Sequence, residues 1–346
     1  MLLLKKYFIY LLNKIPSVRV FKYYFSSKNN TNIGVVITFH RVTKDDKKDN
    51  SDFNSFIEIS GSKLEETILN LKKLEVKFVS LNELSCYLDK DEKPGSPLVH
   101  FSFDDGYLDN YLLAFPLLQK HKIPFSIFVT SDFIDYDQAF LWWYIIEYII
   151  KNELPVYFTK YNFEIAEDDY RKDKEILFEV FRTFLLEYID IDRAYISEQL
   201  LKYAGKNFEW SKIEMMKWPQ LGEMLLSGLC ELGVHTRSHA RFCKLTDLQK
   251  TKEILDCKDA IYKNTRVVSK YFAYPYGSEN DIGNTEGLKK ILTDCGMQLA
   301  FTTVPRELNR KSEKFFLPRI FINNSATMYT LKSRLNGSFQ RGIYSK

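Results

Sequence analysis

From residue 33 onward, short runs of β-branched and aromatic residues alternate with amphipathic stretches of helical period, and this alternation constrains the fold more than any other feature. "IGVVITFH" (33–40), "VKFVSL", "PLVHFSFD", "PFSIFVT", "LCELGVH", "SKYFAYP", "MQLAFTT" and "FFLPRIFIN" read as strands. Between them, "SKLEETILNLKKLE" (62–75) carries Leu64, Ile68 and Leu71 on one face, with Ser62 and Glu65 at capping-box spacing. "NELSCYLD" reads as a short helix capped by Asn82, and the long helix after Leu245 as one capped by Thr246. "YLDNYLLAFPLLQKHK" should be helical with a kink at Pro116. "WPQLGEMLLSG" (218–228) ends at a glycine suited to the position after a helix. Repeated strand–helix units imply a mainly parallel α/β sheet, and with about eight strands a barrel is the better expectation than an open sheet.

Residues 136–217 break the rhythm. "FLWWYIIEYIIKN" and "KEILFEVFRTFLLEYI" look helical, with a weak hairpin at 156–165 between them. The expectation is a mainly helical insertion on a barrel loop, in a barrel running from 33 to 346. Trp142 and Trp143 would either anchor it to the core or line a sugar site, the anchor being favoured.

The net charge of +4 on 346 residues, with no sustained Lys/Arg block, argues against nucleic acid as a partner. The five cysteines (Cys86, Cys230, Cys243, Cys257 and Cys295) are odd in number and contain no C-x-x-C, so neither a disulfide framework nor a thiolate zinc site is expected. A reducing, cytoplasmic setting fits them. In residues 1–32, Lys5, Lys6, Asn13 and Lys14 interrupt the apolar runs, and nothing approaches the ~18 apolar residues of a membrane span. Residues 1–25 read either as a basic amphipathic helix on a membrane surface or as a helix packed on the domain.

Two stretches stand out chemically. "FSFDDG" places Asp104 and Asp105 at the end of an apolar strand, before a glycine that permits a sharp turn. In a parallel α/β architecture, ligands sit at the carboxyl ends of the strands, so the pair is either catalytic or a solvated acidic turn. "GVHTRSHAR" places His235 and His239 after another strand, where they are either surface groups or two ligands of one cation. A carboxylate and two imidazoles would leave coordination positions open, as catalytic sites do. The second carboxylate would then be free to act as a base, its charge favoured beside a divalent cation.

FSFDDG, HTRSH and "FAYPYG" (272–277), in this order and each after a strand, resemble the first three motifs of the polysaccharide deacetylases, the NodB-homology family (carbohydrate esterase family four). The resemblance implies a distorted (β/α)7-type barrel and a metal-dependent hydrolase that removes acetyl groups from N-acetylated sugars of a polysaccharide or glycan precursor. It implies Asp104 as general base, and Asp105, His235 and His239 as ligands of one divalent metal: zinc first, with cobalt, nickel or iron as alternatives. Pro275, Tyr276 and Gly277 would wall the substrate groove, with the Tyr276 N–H facing the oxyanion. Two family features are missing. The arginine of the third motif gives way to Ala273 and Tyr274, and Arg319 on the last strand is the candidate replacement. The late Leu-x-His motif is absent, since no histidine follows His239. His40, ending the first strand, is the candidate general acid, as in the subgroup resembling poly-N-acetylglucosamine deacetylases. His100 reads as a hydrogen-bonded core histidine, and His121 as a helix-end group. A non-catalytic carbohydrate-binding protein, an amidohydrolase of other amides and an O-acetyl esterase are the rival readings.

Overall fold

The computed structural model describes residues 32–45, 53–90, 94–136, 139–210 and 213–326. The segment 1–31, with the candidate membrane contact at 1–25, lies outside the described residues.

In chain order the elements are β1 (Asn32–Phe39), β2 (Arg41–Thr43), β3 (Glu58–Ser60), α1 (Gly61–Lys73), β4 (Lys77–Phe78), α2 (Leu81–Asp89) and β5 (Leu98–Asp105). There follow α3 (Phe115–His121), β6 (Phe125–Val129), α4 (Ser131–Asp135), α5 (Trp142–Lys151), β7 (Val156–Phe158), β8 (Phe163–Ile165), α6 (Lys174–Tyr188) and α7 (Arg193–Ala204). The chain continues with α8 (Trp218–Leu226), β9 (Cys230–Val234), α9 (Asp247–Thr265), β10 (Tyr271–Ala273), α10 (Glu279–Ile282), α11 (Leu288–Asp294), β11 (Leu299–Phe301), β12 (Leu308–Asn309) and β13 (Ile320–Phe321).

Nine strands form one curled sheet in the order β11-β10-β9-β6-β5-β1-β12, with β13 beside β1 and β4 beside β5. All its pairings are parallel except that of β12 with β1. The return segment before β13 bridges Leu317 to Phe301 of β11, and Ile320 then pairs with Ile37 of β1. That segment draws the two ends of the sheet together into a distorted α/β barrel, the architecture expected from the strand–helix alternation.

Buried aliphatic and aromatic side chains of β1, β5, β6 and β9 pack against the outer helices, among them Val35, Phe101, Ile127 and Leu232 with Leu64, Leu118, Leu221 and Ile254. The opposite face of β5 carries His100, Ser102 and Asp104, the parity expected of alternating strand residues. His100 is fully buried, with Nδ1 on the Val79 carbonyl (2.8 Å) and Nε2 on Ser126 Oγ (2.9 Å). His121 ends α3 and meets Glu65 through Nε2 at 2.8 Å.

Residues 142–208 gather round a separate core of Ile145, Ile149, Phe158, Phe181, Leu185 and Leu200, into which Trp142 is buried. The β7–β8 hairpin lies within it. Among the described residues, no helix is long and apolar enough to cross a membrane. The five cysteines are free thiols.

Two local readings are corrected, both of them helix caps. Helix α1 is capped by Ser60, whose side chain accepts from the Lys63 N–H, and not by Ser62. Strand β3 runs directly into α1, so the cap falls on its last residue. Helix α2 is capped by Ser80 in a reciprocal box with Glu83, and not by Asn82. The N–H groups of Leu81 and Asn82 donate instead to the Glu231 carboxylate, a favourable place for negative charge. Pro116 falls in the first turn of α3, directly after a π-helical turn at Asn110–Ala114.

Candidate metal centre and active site

The ends of β1, β5, β9, β10 and β13 converge on one polar cluster. On a regular strand, Asp104 and Asp105 would point to opposite faces. Asp105 instead adopts φ +74°, a left-handed turn that brings its carboxyl back toward the strand ends. Gly106 follows at φ +92°, and a Cβ there would lie 2.8 Å from Ile134 Cδ1, so the sharp turn requires glycine. Thr236, His239 and Tyr276 also have positive φ, at 65°, 60° and 60°. Four non-glycine residues held in this costly conformation around one cluster are the signature of a functional site.

Asp105 Oδ1 stands 3.5 Å from His235 Nε2 and 3.3 Å from His239 Nε2. The three groups present one ligand atom each within 4.8 Å of one another, and all are buried. The His235 Nδ1 lies 2.8 Å from the Ala273 carbonyl. A carbonyl only accepts, so the proton sits on Nδ1 and the Nε2 lone pair faces Asp105. Asp105 Oδ1 is buried with no hydrogen-bond partner. Burial, and then the charge of Asp104, push the Asp105 carboxyl well above the usual carboxylate range. Burial also pulls both ligand-type histidines down, His239 strongly. A buried carboxylate oxygen without a donor, facing two imidazole nitrogens, is a donor set that fits one divalent cation.

Asp104, 1% exposed, is clasped by Arg319, with Nη1 on Oδ1 and Nη2 on Oδ2 at 2.7 Å each. Burial alone would raise this carboxyl, but Arg319, with His235 and His40, more than offsets it and holds the carboxyl well below its usual range. Arg319 is fully buried, donates through Nε to the Thr302 carbonyl (3.1 Å) and lies over the Phe128 ring at 5.5 Å. Gly233 makes room for that ring, since a Cβ there would lie 2.3 Å from it.

His40 ends β1 with its ring edge-on to Phe321 (5.4 Å). Burial pulls its pKa down to about 4, with Asp104 opposing and Arg319 and His235 adding to the shift. Its Nδ1 is buried without a partner. Tyr276 packs edge-on against the His239 ring at 4.8 Å, and its carbonyl accepts from Thr303 Oγ1 at 2.6 Å. Among the described residues, no acceptor meets the Tyr276 backbone N–H. Pro275 is buried, and Gly277 turns at φ +70° against Thr303. All nine residues singled out in the sequence therefore lie in or beside one cluster.

Two further residues meet the cluster, of which Trp143 was already singled out in the sequence as an anchor or a sugar-site residue. Trp143 meets the His239 ring at 5.4 Å, and its Nε1 donates to the Tyr107 hydroxyl at 3.3 Å. Tyr107 is fully buried directly after the DDG turn. Its place beside that motif was the available signal. A groove lined by Arg41, Asp109, Tyr144, Tyr148, Phe208 and Glu214 opens where the chain leaves β1 and β5, and none of the nine residues lines it.

The sequence pattern of the polysaccharide deacetylase family matches residues 191–300. That stretch holds His235, His239 and 275–277 but not the two aspartates, which the fold brings to them. Poly-beta-1,6-N-acetyl-D-glucosamine N-deacetylase of Staphylococcus aureus (strain MSSA476) is 25% identical over 320 residues, covering 88% of this chain and 84% of its own. The protein of the same name from Staphylococcus epidermidis is 23% identical, covering 86% and 82%. Among solved structures, Streptococcus pyogenes deacetylase PplD in complex with acetate superposes with TM-score 0.58 at 16% identity, over 87% of this chain and 97% of that one. IcaB from Ammonifex degensii does so with TM-score 0.55 at 21% identity, over 89% and 97%. The chain resembles the polysaccharide deacetylases in its motifs, in its sequence and in its fold.

Proposed function

We propose that the chain is a metal-dependent hydrolase that removes acetyl groups from the N-acetylated sugars of a polysaccharide. The observation that carries this reading is the orphaned, buried Asp105 oxygen facing two imidazoles, beside an ionised carboxylate clasped by arginine. The names of the staphylococcal relatives make β-1,6-linked N-acetylglucosamine the first polymer to offer.

Asp105, His235 and His239 would hold the cation, zinc first. When bound, such an ion supplies Lewis acidity toward the acetyl carbonyl and acidifies a water. Asp104, kept ionised and oriented by Arg319, takes a proton from the attacking water. The Tyr276 N–H donates to the oxygen that gains charge as the carbonyl becomes tetrahedral. The C–N bond then breaks, and the amine leaves with a proton from His40. With its pKa pulled down to about 4, His40 is neutral at rest, so it donates only a proton it has first received. That proton is the one Asp104 takes from the attacking water, passed from Asp104 to His40 before the C–N bond breaks. The products are acetate and an amino sugar, and the groove where the chain leaves β1 and β5 offers aromatic faces to flanking sugar units.

The test is acetate release from N-acetylglucosamine oligomers, with chelator and then with zinc returned. Activity lost to chelator and regained with zinc is the expected result, with Asp104→Asn lowering turnover by about 10³-fold or more. Undiminished acetate release by Asp104→Asn would overturn the assignment of the base. Turnover confined to O-acetylated glycans or small amides would move the reading to an esterase or another amidohydrolase.

A further inference from the structure

The two histidines of the triad are held by different means. His235 is fixed by the Ala273 carbonyl, whereas His239 Nδ1 is buried and meets no hydrogen-bond partner among the described residues. His239 also sits at φ +60°, so its backbone does not hold the side chain in place unaided. Its ring lies instead among three aromatic rings: Tyr276 at 4.8 Å, Trp143 at 5.4 Å and Phe133 at 5.8 Å.

Trp143 comes from α5, outside the barrel sheet. Its indole is itself fixed by Nε1 on the Tyr107 hydroxyl, by Trp142 edge-on at 5.6 Å and by Phe133 at 6.0 Å. The same helical region grips the backbone beyond His239. The Arg241 N–H donates to Asp190 at 3.0 Å, and the Arg241 guanidinium to the Leu186 carbonyl at 2.6 Å. On the other side of His239, Glu253 accepts from both the N–H and the hydroxyl of Ser238 at 2.8 Å each.

We infer that Trp143 is a positioning residue for His239, supplying by ring packing the orientation that a carbonyl supplies for His235. Through it, the helices outside the barrel set the affinity of the metal centre. Metal-bound imidazoles are ordinarily oriented by an acceptor on the other ring nitrogen, and loss of that partner weakens binding about 10–100-fold. Here the indole takes the acceptor's place.

This inference rests on the metal-site reading above, and zinc affinity tests it without recourse to activity. Zinc binding is measured by competition with a chromophoric chelator, and the visible spectrum of the cobalt form reports the ligand set. The chains compared are the parent, Trp143→Ala, Trp143→Phe and Leu200→Ala, each checked for fold by circular dichroism. Leu200 is buried in the same helical core without a ring contact to His239. Trp143→Ala is expected to weaken zinc about tenfold or more and to alter the cobalt spectrum, while Trp143→Phe and Leu200→Ala stay within about threefold. If Trp143→Ala does not fold, Trp143→Leu is measured in its place with the same expectation. Equal weakening by Trp143→Ala and Leu200→Ala, or a Trp143→Ala chain that binds as tightly as the parent, would overturn it. A parent chain that binds no zinc would overturn the metal-site reading itself, and this inference with it.

Discussion

Asp104 and Arg319 are each tolerable in the interior only because of the other. Neither is more than 1% exposed, and the two are joined by a bidentate contact at 2.7 Å. Removing one partner of such a pair leaves a buried charge and costs about 3–5 kcal/mol, whereas removing both charges costs less. Arg319→Met is therefore expected to lower the urea midpoint sharply, and Asp104→Asn added to it to restore part of the loss. A double variant no more stable than Arg319→Met would show that the pair is not what makes the arginine necessary. Much of this chemistry was legible. The acidic pair at a strand end, the two histidines after another strand and the arginine on the last strand were all visible as residue types at strand termini. The left-handed backbone at Asp105 and His239 was not, because neither residue type announces positive φ as glycine does. Trp143 was read beside Trp142 as an anchor or a sugar-site residue, but no local pattern marks it as the ring that reaches His239.

At the scale of elements, helical period and strand composition located the longer barrel strands and most of the longer helices but not the short β2, β3, β12, α4 and α10 or the helix α7, while the caps depended on where the preceding strand stopped. Ser60 and Ser62 are equally good capping residues by type. Only the end of β3 at Ser60 decides between them, and that end is fixed by pairing with β2 across a loop. The same holds for Ser80 and Asn82, where Glu83 completes the box from three residues on. Ser60→Ala and Ser80→Ala should each cost about 1 kcal/mol, while Ser62→Ala and Asn82→Ala stay within about 0.5 kcal/mol. Chemical denaturation of the four single variants checks this, and a larger loss at Ser62 than at Ser60 would return the cap to the position read from sequence.

Over the whole molecule, the barrel interior holds a histidine that acid should turn against the fold. His100 is fully buried, and burial pulls its pKa down to about 4, with the Val79 carbonyl opposing and Arg319 adding to the shift. The unfolded chain takes up this proton near pH 6.5, while the folded one resists until about 4. Between those values the unfolded state binds more protons, so stability falls as pH falls. The loss sets in as pH falls through the upper value and reaches about 2.5 kcal/mol by pH 4.5. His100→Gln, neutral at every pH, should flatten the slope of unfolding free energy between pH 7 and pH 4.5 by that amount, and an unchanged slope would rule the group out. The barrel itself was legible because parallel strands buried on both faces leave near-continuous apolar runs. The manner of its closure was not, since β12 and β13 are two residues each and the bridge of Leu317 to Phe301 lies outside them.

That closure has a consequence for the chain as it is made. Asp104 and the arginine that neutralises it are 215 residues apart in sequence. At ribosomal speeds of 5–20 residues per second, about ten to forty seconds pass between the synthesis of one and of the other. Throughout that time the carboxylate has no guanidinium to enter the barrel with, and the strand ends stay hydrated. The last strand therefore acts as a latch: until Arg319 arrives, drying out the interior would leave the Asp104 charge buried and unpaired.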